Sequence, residues 1–500
     1  MLNMVVWGKT MKEVEKRYIV GLDEGTTSAR AVVYDVKTHK IISIAGENFR
    51  QYYPHDGWVE QDAEEVYLAQ TYAFRKAVSQ AKIKNNEIIS VGLTNQRETV
   101  VAFDKLTGTP IYNAIVWQCR RTADKIEALT KKQKEYIKEA TGLVADPYFS
   151  ASKMGWILEN VPKAKELLKE NRLCMGTIDS YIAFKLTGRF VTDTSNASRT
   201  MLYNINTLEW DDKLLKMWGV PKKCLAEVVN SAEVVGEIKE FDGVVLASII
   251  GDQQASLVGN GCLQNGQSKM TYGTGGFMLV NSGEKPIASE KLLSTIAYTI
   301  NGKTTYALEG SIFSACSAIN WLKQNLRLFD RVEETEKMAF AAQDNSGVYF
   351  VPAFTGLGSP YWNANSRACF VGINFSTNKN HMVRAVLESF GYSTTAIVNE
   401  MKGCGVDVKS LKVDGGGSKN NFIVQFLSNM LGQEVYRSHS SECTVLGAIY
   451  FAGLALGVIS LNDIKSLAKD NGMFIPEIDK TQREYLLNKW EQAVKKSEWR

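Results

Sequence analysis

The stretch RYIVGLDEGTTSARAVVYDVKTHKIISIA, residues 17–45, predicts how this chain begins to fold. It contains three short runs rich in β-branched and aromatic residues, separated by turn-forming residues, at 17–23, 28–34 and 40–45. This pattern is typical of a three-stranded meander. A helical pattern from Asp62 to about Lys82 follows, and then an apolar strand at 88–93. Meander, helix and strand in this order indicate a ribonuclease-H-like or actin-like domain.

The second half of the chain repeats this plan. Two strand patterns, at 268–272 and 277–281, flank the turn GTGG, and a further strand around 304–308 leads into a helix at about 314–325. The repeat predicts an α/β fold of two actin-like, ribonuclease-H-like ATPase domains that face a central cleft. Glycines cluster at 256–266, which favours a boundary and a hinge there. We therefore expect a loosely ordered extension at 1–16, a first domain at 17–258 and a second domain at 259–500.

Composition excludes several classes of protein. Five hundred residues exceed what one hydrophobic core usually organises, and Lys+Arg exceed Asp+Glu by only 58 to 54, far from the basic character of a nucleic-acid binder. The eight cysteines are scattered without a CxxC pair, which predicts reduced thiols. No apolar run reaches membrane-spanning length and the first ten residues do not resemble a secretory signal. We expect a cytoplasmic protein without nucleic-acid partner or membrane span; a homodimer or homotetramer stays open.

Three glycine-rich turns suggest a phosphate site. They are DEGTTS, TYGTGG and DGGGSKNN, at 23–28, 271–276 and 414–421. Such turns expose backbone N–H groups that can cradle phosphates. The third turn precedes a helix predicted from about Lys419 to Leu431, whose N-terminus adds donors. Each turn alone is a common structural feature, but three in this order indicate an ATPase. The chain has no GxxxxGK[ST] string, which excludes a Walker-type site.

A carboxylate follows a buried strand between the first two turns. The apolar run 244–250 ends in GDQQ, so Asp252 is expected at the strand end. An Asp in that position can accept the proton of a substrate hydroxyl. A base, a hydroxyl and a phosphate cradle together predict a phosphotransferase.

Polar and aromatic residues outline the second substrate. Arg97 and Glu98 follow a strand of the first half, where open α/β sheets place their ligands, and Trp117 and Tyr148 lie in polar loops. A small polyol needs donors and acceptors for its hydroxyls and an apolar wall for its C–H groups. Taken one by one, these residues also suit core aromatics and a surface charge pair.

Longer strings carry a resemblance to a known family. YFSASKMGWILEN at 148–160 resembles the first signature of the FGGY carbohydrate kinases, and ACFVGI at 368–373 with HMVRAVLE at 381–388 resembles the second. Further strings between residues 23 and 422, about four-fifths of the chain, are similar to the members that phosphorylate glycerol. The resemblance implies transfer of the γ-phosphoryl group of ATP to glycerol, with Mg²⁺.

The resemblance also implies roles for individual residues. Those around glycerol would be Arg97, Glu98, Trp117, Tyr148, Asp252, Gln253 and Phe277, with Asp252 as the base. Those around the nucleotide would be Thr26, Thr27, Ser28, Arg30, Thr274, Gly275, Asn320, Gly416 and Asn420, and Asp23 and Asp252 would lie near Mg²⁺. Cys316 and Asn320 stand where better-known bacterial members usually have Gly and Gln, so we expect the adenine side to differ from theirs. Residues 372–378 depart from the more usual G-L-T-R-G, which leaves the neighbourhood of this segment unassigned.

Two alternatives remain open from the sequence. One is another FGGY kinase, acting on a pentulose or on a tetritol such as erythritol; the adjacent Arg97 and Glu98 and the aromatic residues favour a shorter polyol. The other is a non-kinase ATPase of the actin-like fold, which would need neither a substrate base such as Asp252 nor a polyol pocket.

Overall fold

The computed structural model describes residues 15–498, so all but the last two residues of the extension expected at 1–16 lie outside the described part. In chain order, the first half contains Tyr18–Glu24 (β1), Ser28–Asp35 (β2), Lys40–Asn48 (β3), Glu60–Gln61 (β4), Ala63–Ala81 (α1), Ile88–Asn95 (β5), Val100–Asp104 (β6), Ala114–Ile115 (β7), Ala123–Glu127 (α2), Lys131–Thr141 (α3), Ser150–Asn160 (α4), Pro162–Lys169 (α5), Leu173–Thr177 (β8), Ile178–Thr187 (α6), Val191–Asp193 (β9), Thr194–Ala197 (α7), Tyr203–Asn204 (β10), Glu209–Trp210 (β11), Asp212–Trp218 (α8), Glu227–Val229 (β12), Ala232–Ile238 (β13), Val244–Gly251 (β14) and Asp252–Gly259 (α9).

The second half contains Gln267–Tyr272 (β15), Gly276–Gly283 (β16), Leu293–Ile300 (β17), Lys303–Ile312 (β18), Cys316–Gln324 (α10), Glu334–Ala341 (α11), Tyr349–Val351 (β19), Cys369–Val371 (β20), Lys379–Gly403 (α12), Ser410–Asp414 (β21), Asn421–Leu431 (α13), Val435–Ser438 (β22), Cys443–Ala455 (α14), Leu461–Leu467 (α15), Asp470–Phe474 (β23) and Lys480–Lys496 (α16).

The first large sheet has the order β13-β14-β5-β1-β2-β3. Strands β1, β2 and β3 form the predicted antiparallel meander, and β5 and β14 add to β1 in parallel. Helix α1 begins after Asp62, whose side chain accepts hydrogen bonds from the backbone N–H groups of Glu64 and Glu65, and it ends at Lys82 in a left-handed conformation. The predicted opening of the fold is confirmed.

The second large sheet, β17-β18-β16-β15-β21-β22-β23, repeats this topology. Strands β15, β16 and β18 are antiparallel, and β21 and β22 add to β15 in parallel. When the core strands of each sheet are numbered one to five along the chain, both sheets have the spatial order 3-2-1-4-5. The core strands are β1, β2, β3, β5 and β14 in the first sheet and β15, β16, β18, β21 and β22 in the second. This shared order confirms the duplicated α/β architecture. Strand β17 was not predicted, although its apolar residues suit a buried strand. Helix α10 begins at Cys316, two residues later than predicted, because the backbone of Ala315 is not helical.

Two helices cross between the sheets. Helix α9 follows β14, the last parallel strand of the first sheet, and α14 follows β22, its counterpart in the second. The crossing is so close that a Cβ atom on Gly259 would lie 1.9 Å from the carbonyl oxygen of Cys443, and one on Gly447 1.9 Å from that of Ala255. The segment 256–266, for which a hinge is predicted, therefore begins inside a tightly packed pair of helices.

Helix α14 also covers a face of the first sheet. A Cβ atom on Gly92 would lie 2.3 Å from the carbonyl oxygen of Ala448, which accepts a 2.7 Å hydrogen bond from Ser248 Oγ. A helix from the second half therefore completes the core of the first. All eight cysteines are free and five of them are buried, as expected. Within residues 15–498, no helix is long and apolar enough to cross a membrane.

The helix crossing can be tested with Gly447→Ala. We expect the variant to lose about 1–3 kcal/mol of unfolding free energy, because the added methyl group forces two backbones apart. The urea midpoint of tryptophan fluorescence measures this loss. Gly403→Ala is the control, since a Cβ atom at Gly403 would meet no atom within 4 Å. Equal midpoints for the two variants would contradict the close crossing.

Candidate active site

Three parallel strands of the first sheet end in register. Glu24 at the end of β1 pairs with Asn95 at the end of β5, and Asn95 pairs with Gly251 at the end of β14. The residues that follow these strands therefore emerge at the same edge of the sheet, the usual ligand position in α/β folds. This register brings together the first turn, the segment containing Arg97, and Asp252.

Asp252 is the first residue of α9, and its side chain is 30% exposed. Its Oδ1 accepts a 2.7 Å hydrogen bond from the backbone N–H of Gln253 and lies 3.2 Å from Arg97 Nε. Burial raises the pKa of Asp252 above its ordinary value; Glu98 acts in the same direction, and Arg97 and Lys269 oppose it. A partly exposed carboxylate with raised basicity is suited to accept a proton.

Arg97 and Glu98 belong to a buried ion-pair cluster that joins the two halves. Arg97 Nη1 and Nη2 donate to Glu309 at 2.6 and 3.0 Å, and Arg199 Nε donates to Glu98 Oε1 at 2.6 Å. Arg199 Nη2 also reaches Glu309 Oε1 at 3.2 Å. Burial alone would raise the pKa of Glu309, but Arg199 and Arg97 lower it to about 2. Glu309 therefore stays charged against both guanidinium groups.

This cluster corrects the surface-pair interpretation of Arg97 and Glu98, since both side chains are at most 2% exposed. Sequence reasoning did not single out Arg199 or Glu309 as site residues. Both residues lie in strings that resemble the FGGY family, SNASRTMLYNI at 195–205 and ALEG at 307–310. That resemblance was the signal in the sequence that could have identified them as site residues.

Trp117 and Tyr148 form a partly exposed aromatic wall. Their rings meet edge to face with centroids 5.5 Å apart, and Trp117 Nε1 donates to Thr26 Oγ1 at 3.1 Å. Lys153, in α4, donates from Nζ to the carbonyl oxygens of Tyr148 at 2.7 Å and Trp117 at 3.4 Å. The structure thus brings both predicted wall residues together. Phe277, partly exposed at the start of β16, is contributed by the second half.

Side chains from the first half hold the first turn. Gln61 Nε2 and Gln51 Nε2 donate to the carbonyl oxygen of Thr26 at 2.6 and 3.0 Å, and Gly25 N–H donates to the carbonyl oxygen of Ser28 at 3.0 Å. Thr27 is left exposed at the tip. The turn therefore presents a fixed backbone.

Arg30 links this turn to the second half of the chain. Its Nη2 donates to Asp23 Oδ2 at 2.6 Å, and its Nη1 lies 2.8 Å from Glu442 Oε2 beside α14. Arg30 therefore contacts two carboxylates, Asp23 from the first half and Glu442 from the second.

The second turn lies against the N-terminus of α10. The carbonyl oxygen of Thr274 accepts from Ala315 N–H at 2.9 Å and Ser317 N–H at 3.2 Å, and Gly275 is buried beneath it. Thr274 itself is exposed, and so is Asn320 one turn further along α10. Thr274 therefore lies at the N-terminus of α10, and Asn320 lies in the middle of the same helix.

The third turn is a 3₁₀ helix, Gly416–Lys419, and α13 begins at Asn421 rather than at the predicted Lys419. Asn420 caps α13 by accepting a 3.3 Å hydrogen bond from Ile423 N–H. Gly416 is exposed. The short 3₁₀ turn explains the displaced helix start.

Two domain matches identify the family. Residues 18–259 match the N-terminal domain of the FGGY family of carbohydrate kinases, and residues 268–456 match its C-terminal domain. The chain belongs to the FGGY family of carbohydrate kinases.

Individual glycerol kinases are similar to this chain over nearly its whole length. The chain is 46% identical to glycerol kinase of Thermococcus onnurineus, over 96% of this chain and 98% of that protein. It is 46% identical to glycerol kinase 2 of Thermotoga maritima, over 96% and 99%. Among solved structures it is similar to Plasmodium falciparum glycerol kinase with ADP, with a TM-score of 0.91 and 33% identity over 97% of this chain and 99% of that one.

Glu309→Gln tests the buried cluster. Removing its charge leaves two buried guanidinium groups short of a partner, so we expect a loss of about 3–5 kcal/mol of stability. A lower thermal unfolding midpoint measures this loss. The control is Glu166→Gln, which removes an exposed pair with Lys163 and should leave the midpoint unchanged. A wild-type midpoint for Glu309→Gln would show that the cluster is dispensable.

Proposed function

We propose that this chain is a glycerol kinase, which transfers the γ-phosphoryl group of ATP to glycerol and yields sn-glycerol 3-phosphate and ADP. One observation carries the proposal: Asp252 follows β14 at the sheet edge where the first glycine-rich turn also emerges, and its Oδ1 lies 3.2 Å from Arg97 Nε. The 46% identity to glycerol kinases over nearly the whole chain supports the same substrate.

The polyol site would use charges, amides and an aromatic wall. Arg97 and Glu98 are held by Glu309 and Arg199 and can direct a donor and an acceptor at two hydroxyls of glycerol. Trp117, Tyr148 and Phe277 would cover the C–H groups, and Gln253 would add a polar contact. A fixed pattern of donors and acceptors favours a short polyol over a longer sugar.

In the reaction, the terminal hydroxyl of glycerol attacks the γ-phosphorus in line, Asp252 accepts the hydroxyl proton, and ADP departs. Backbone N–H groups of the turns stabilise charge on the transferred group. A positioned base contributes about 10²- to 10⁴-fold, so positioning carries most of the rate enhancement.

The nucleotide would lie across the three turns. Its contacts would come from Thr26, Thr27, Ser28, Arg30, Thr274, Gly275, Asn320, Gly416 and Asn420. Among these, Thr27, Thr274 and Gly416 are the exposed positions that lie in the turns, one in each turn. On this basis we propose that 17–258 carries the polyol site and the first turn, and that 259–500 carries most of the nucleotide site.

The residues present also fit Mg²⁺. Asp23 on β1 is in register with Thr94 on β5, and Thr94 with Ile250 on β14, so Asp23 and Asp252 lie at the same edge of the first sheet. One or two carboxylates together with phosphate oxygens are a usual donor set for Mg²⁺. Asp23 and Asp252 would hold Mg²⁺, which when bound neutralises charge on the phosphates.

A coupled ADP-release assay tests the substrate. We expect the highest kcat/KM with glycerol among glycerol, dihydroxyacetone, erythritol and a pentulose. A higher value with the pentulose or erythritol would favour another FGGY activity. ATP hydrolysis that does not depend on any polyol would favour a non-kinase ATPase.

Asp252→Asn tests the base. The amide keeps the size of the side chain but cannot accept the proton, so kcat should fall by at least about 10²-fold while glycerol KM changes little. Steady-state kinetics measure both constants. Asp242→Asn is the control, because Asp242 is exposed and its left-handed backbone tolerates Asn. Wild-type turnover of folded Asp252→Asn would refute the base assignment.

Trp117→Ala tests the wall. Loss of the indole should raise glycerol KM more than it lowers kcat, because an apolar wall supports ground and transition states alike. Trp117→Phe keeps the wall but removes the hydrogen bond to Thr26 Oγ1, so it should raise KM less. Equal effects of the two variants on KM would assign the role to the hydrogen bond instead.

A further inference from the structure

Lys269 is a fully buried lysine that the proposed mechanism does not use. It lies on β15, and its Nζ donates to Gln253 Oε1 at 2.5 Å, to Thr271 Oγ1 at 2.9 Å and to the carbonyl oxygen of Phe277 at 3.2 Å. The three N–H donors of the ammonium group are therefore all occupied. Gln253 and Phe277 are two of the predicted substrate residues, so Lys269 lies directly behind the proposed polyol site.

The contact with Gln253 fixes the orientation of that side-chain amide. Lys269 can only donate, so the Gln253 atom that faces it must be the oxygen. The amide nitrogen then faces Asp252, with Nε2 3.3 Å from Oδ2. Together with the backbone N–H of Gln253 at 2.7 Å from Oδ1, this places a donor at each oxygen of the proposed base.

The contact with Thr271 connects Lys269 to the second and third glycine-rich turns. Thr271 Oγ1 lies 3.2 Å from Ser256 Oγ, and Ser256 Oγ donates to Asp414 Oδ2 at 2.8 Å. Thr271 opens the second turn and Asp414 the third. Burial lowers the pKa of Lys269 to about 8, and the charges of Asp414 and Asp252 oppose this, which agrees with a position between the two carboxylates.

We propose that Lys269 is a positioning residue that orients Asp252 through the Gln253 amide and ties this arrangement to the second and third turns. The inference rests on the proposed kinase reaction. Without the ammonium group, Gln253 is free to turn its amide over and present an oxygen to the carboxylate of Asp252. The base would then move or lose a donor, and small displacements of reacting groups are costly to the chemical step.

Lys269→Met tests this role, because it keeps most of the side-chain length and removes every donor. We expect kcat to fall about 10- to 100-fold with glycerol KM within about threefold of wild type. Lys269→Arg keeps a cationic donor and should recover part of kcat. If Lys269→Met does not fold, Lys269→Leu, which also has no donor, replaces it with the same expectation.

Lys412→Met is the matched control. Lys412 pairs with Lys269 on the adjacent parallel strand β21, but its Nζ donates to the carbonyl oxygen of Ala468 at 2.6 Å and pairs with Asp470 at 2.9 Å. Its removal should leave both kinetic constants unchanged. A kcat loss in Lys412→Met equal to that in Lys269→Met would reduce the effect to a general loss of packing in this sheet and overturn the proposal.

A double-mutant cycle distinguishes positioning from a separate contribution. If Lys269 acts through Gln253, then Lys269→Met should lower kcat by less than about threefold further in a Gln253→Ala background. Fully additive losses, or unchanged kcat in folded Lys269→Met, would overturn the proposal. The wild-type enzyme in the same assay separates this failure from failure of the proposed function, which would appear as absence of glycerol-dependent ADP release.

Discussion

The bidentate ion pair between Arg97 and Glu309 is the interaction on which the rest of the site depends. Both side chains are fully enclosed, and Arg199 and Glu98 complete a cluster of two positive and two negative charges. Charges removed from water are tolerated only when each finds an opposite partner with good geometry. Because Glu309 comes from β18 and the other three residues come from the first half, the cluster also fixes how the two halves meet beneath the cleft.

The same cluster accounts for the strained backbone of Glu98. This residue has φ +64°, a left-handed conformation that costs a non-glycine residue on the order of 1–3 kcal/mol. Arg199 holds its carboxylate, and Ser150 Oγ donates to its carbonyl oxygen at 2.9 Å. These two hydrogen bonds therefore hold Glu98 in its left-handed conformation.

The sequence predicted the elements whose patterns are local. The meander, α1 and the strand before Asp252 follow from periodicity and turn residues, and the glycine-rich turns were located correctly. It could not predict the cluster, because Arg97 and Glu309 are 212 positions apart and only the folded sheets bring them together. Lys269 could not be distinguished from an ordinary strand residue, because its contacts with Gln253 and Phe277 also form only in the folded chain. Burial, which decides whether a charge is structural or solvated, is not a property of the local sequence.

Cys316, at the start of α10, packs between the second and third glycine-rich turns. Its sulfur lies 3.6 Å from the carbonyl oxygen of Tyr272, and a Cβ atom on Gly417 would lie 3.1 Å from it, so the thiol fills the space between the second and third turns. Burial raises the pKa of Cys316 to about 11, which keeps the thiol neutral. A glycine at this position would leave that space unfilled. Cys316 therefore supports the spacing of the second and third glycine-rich turns through its packing against Gly417 and its contact with the Tyr272 carbonyl oxygen.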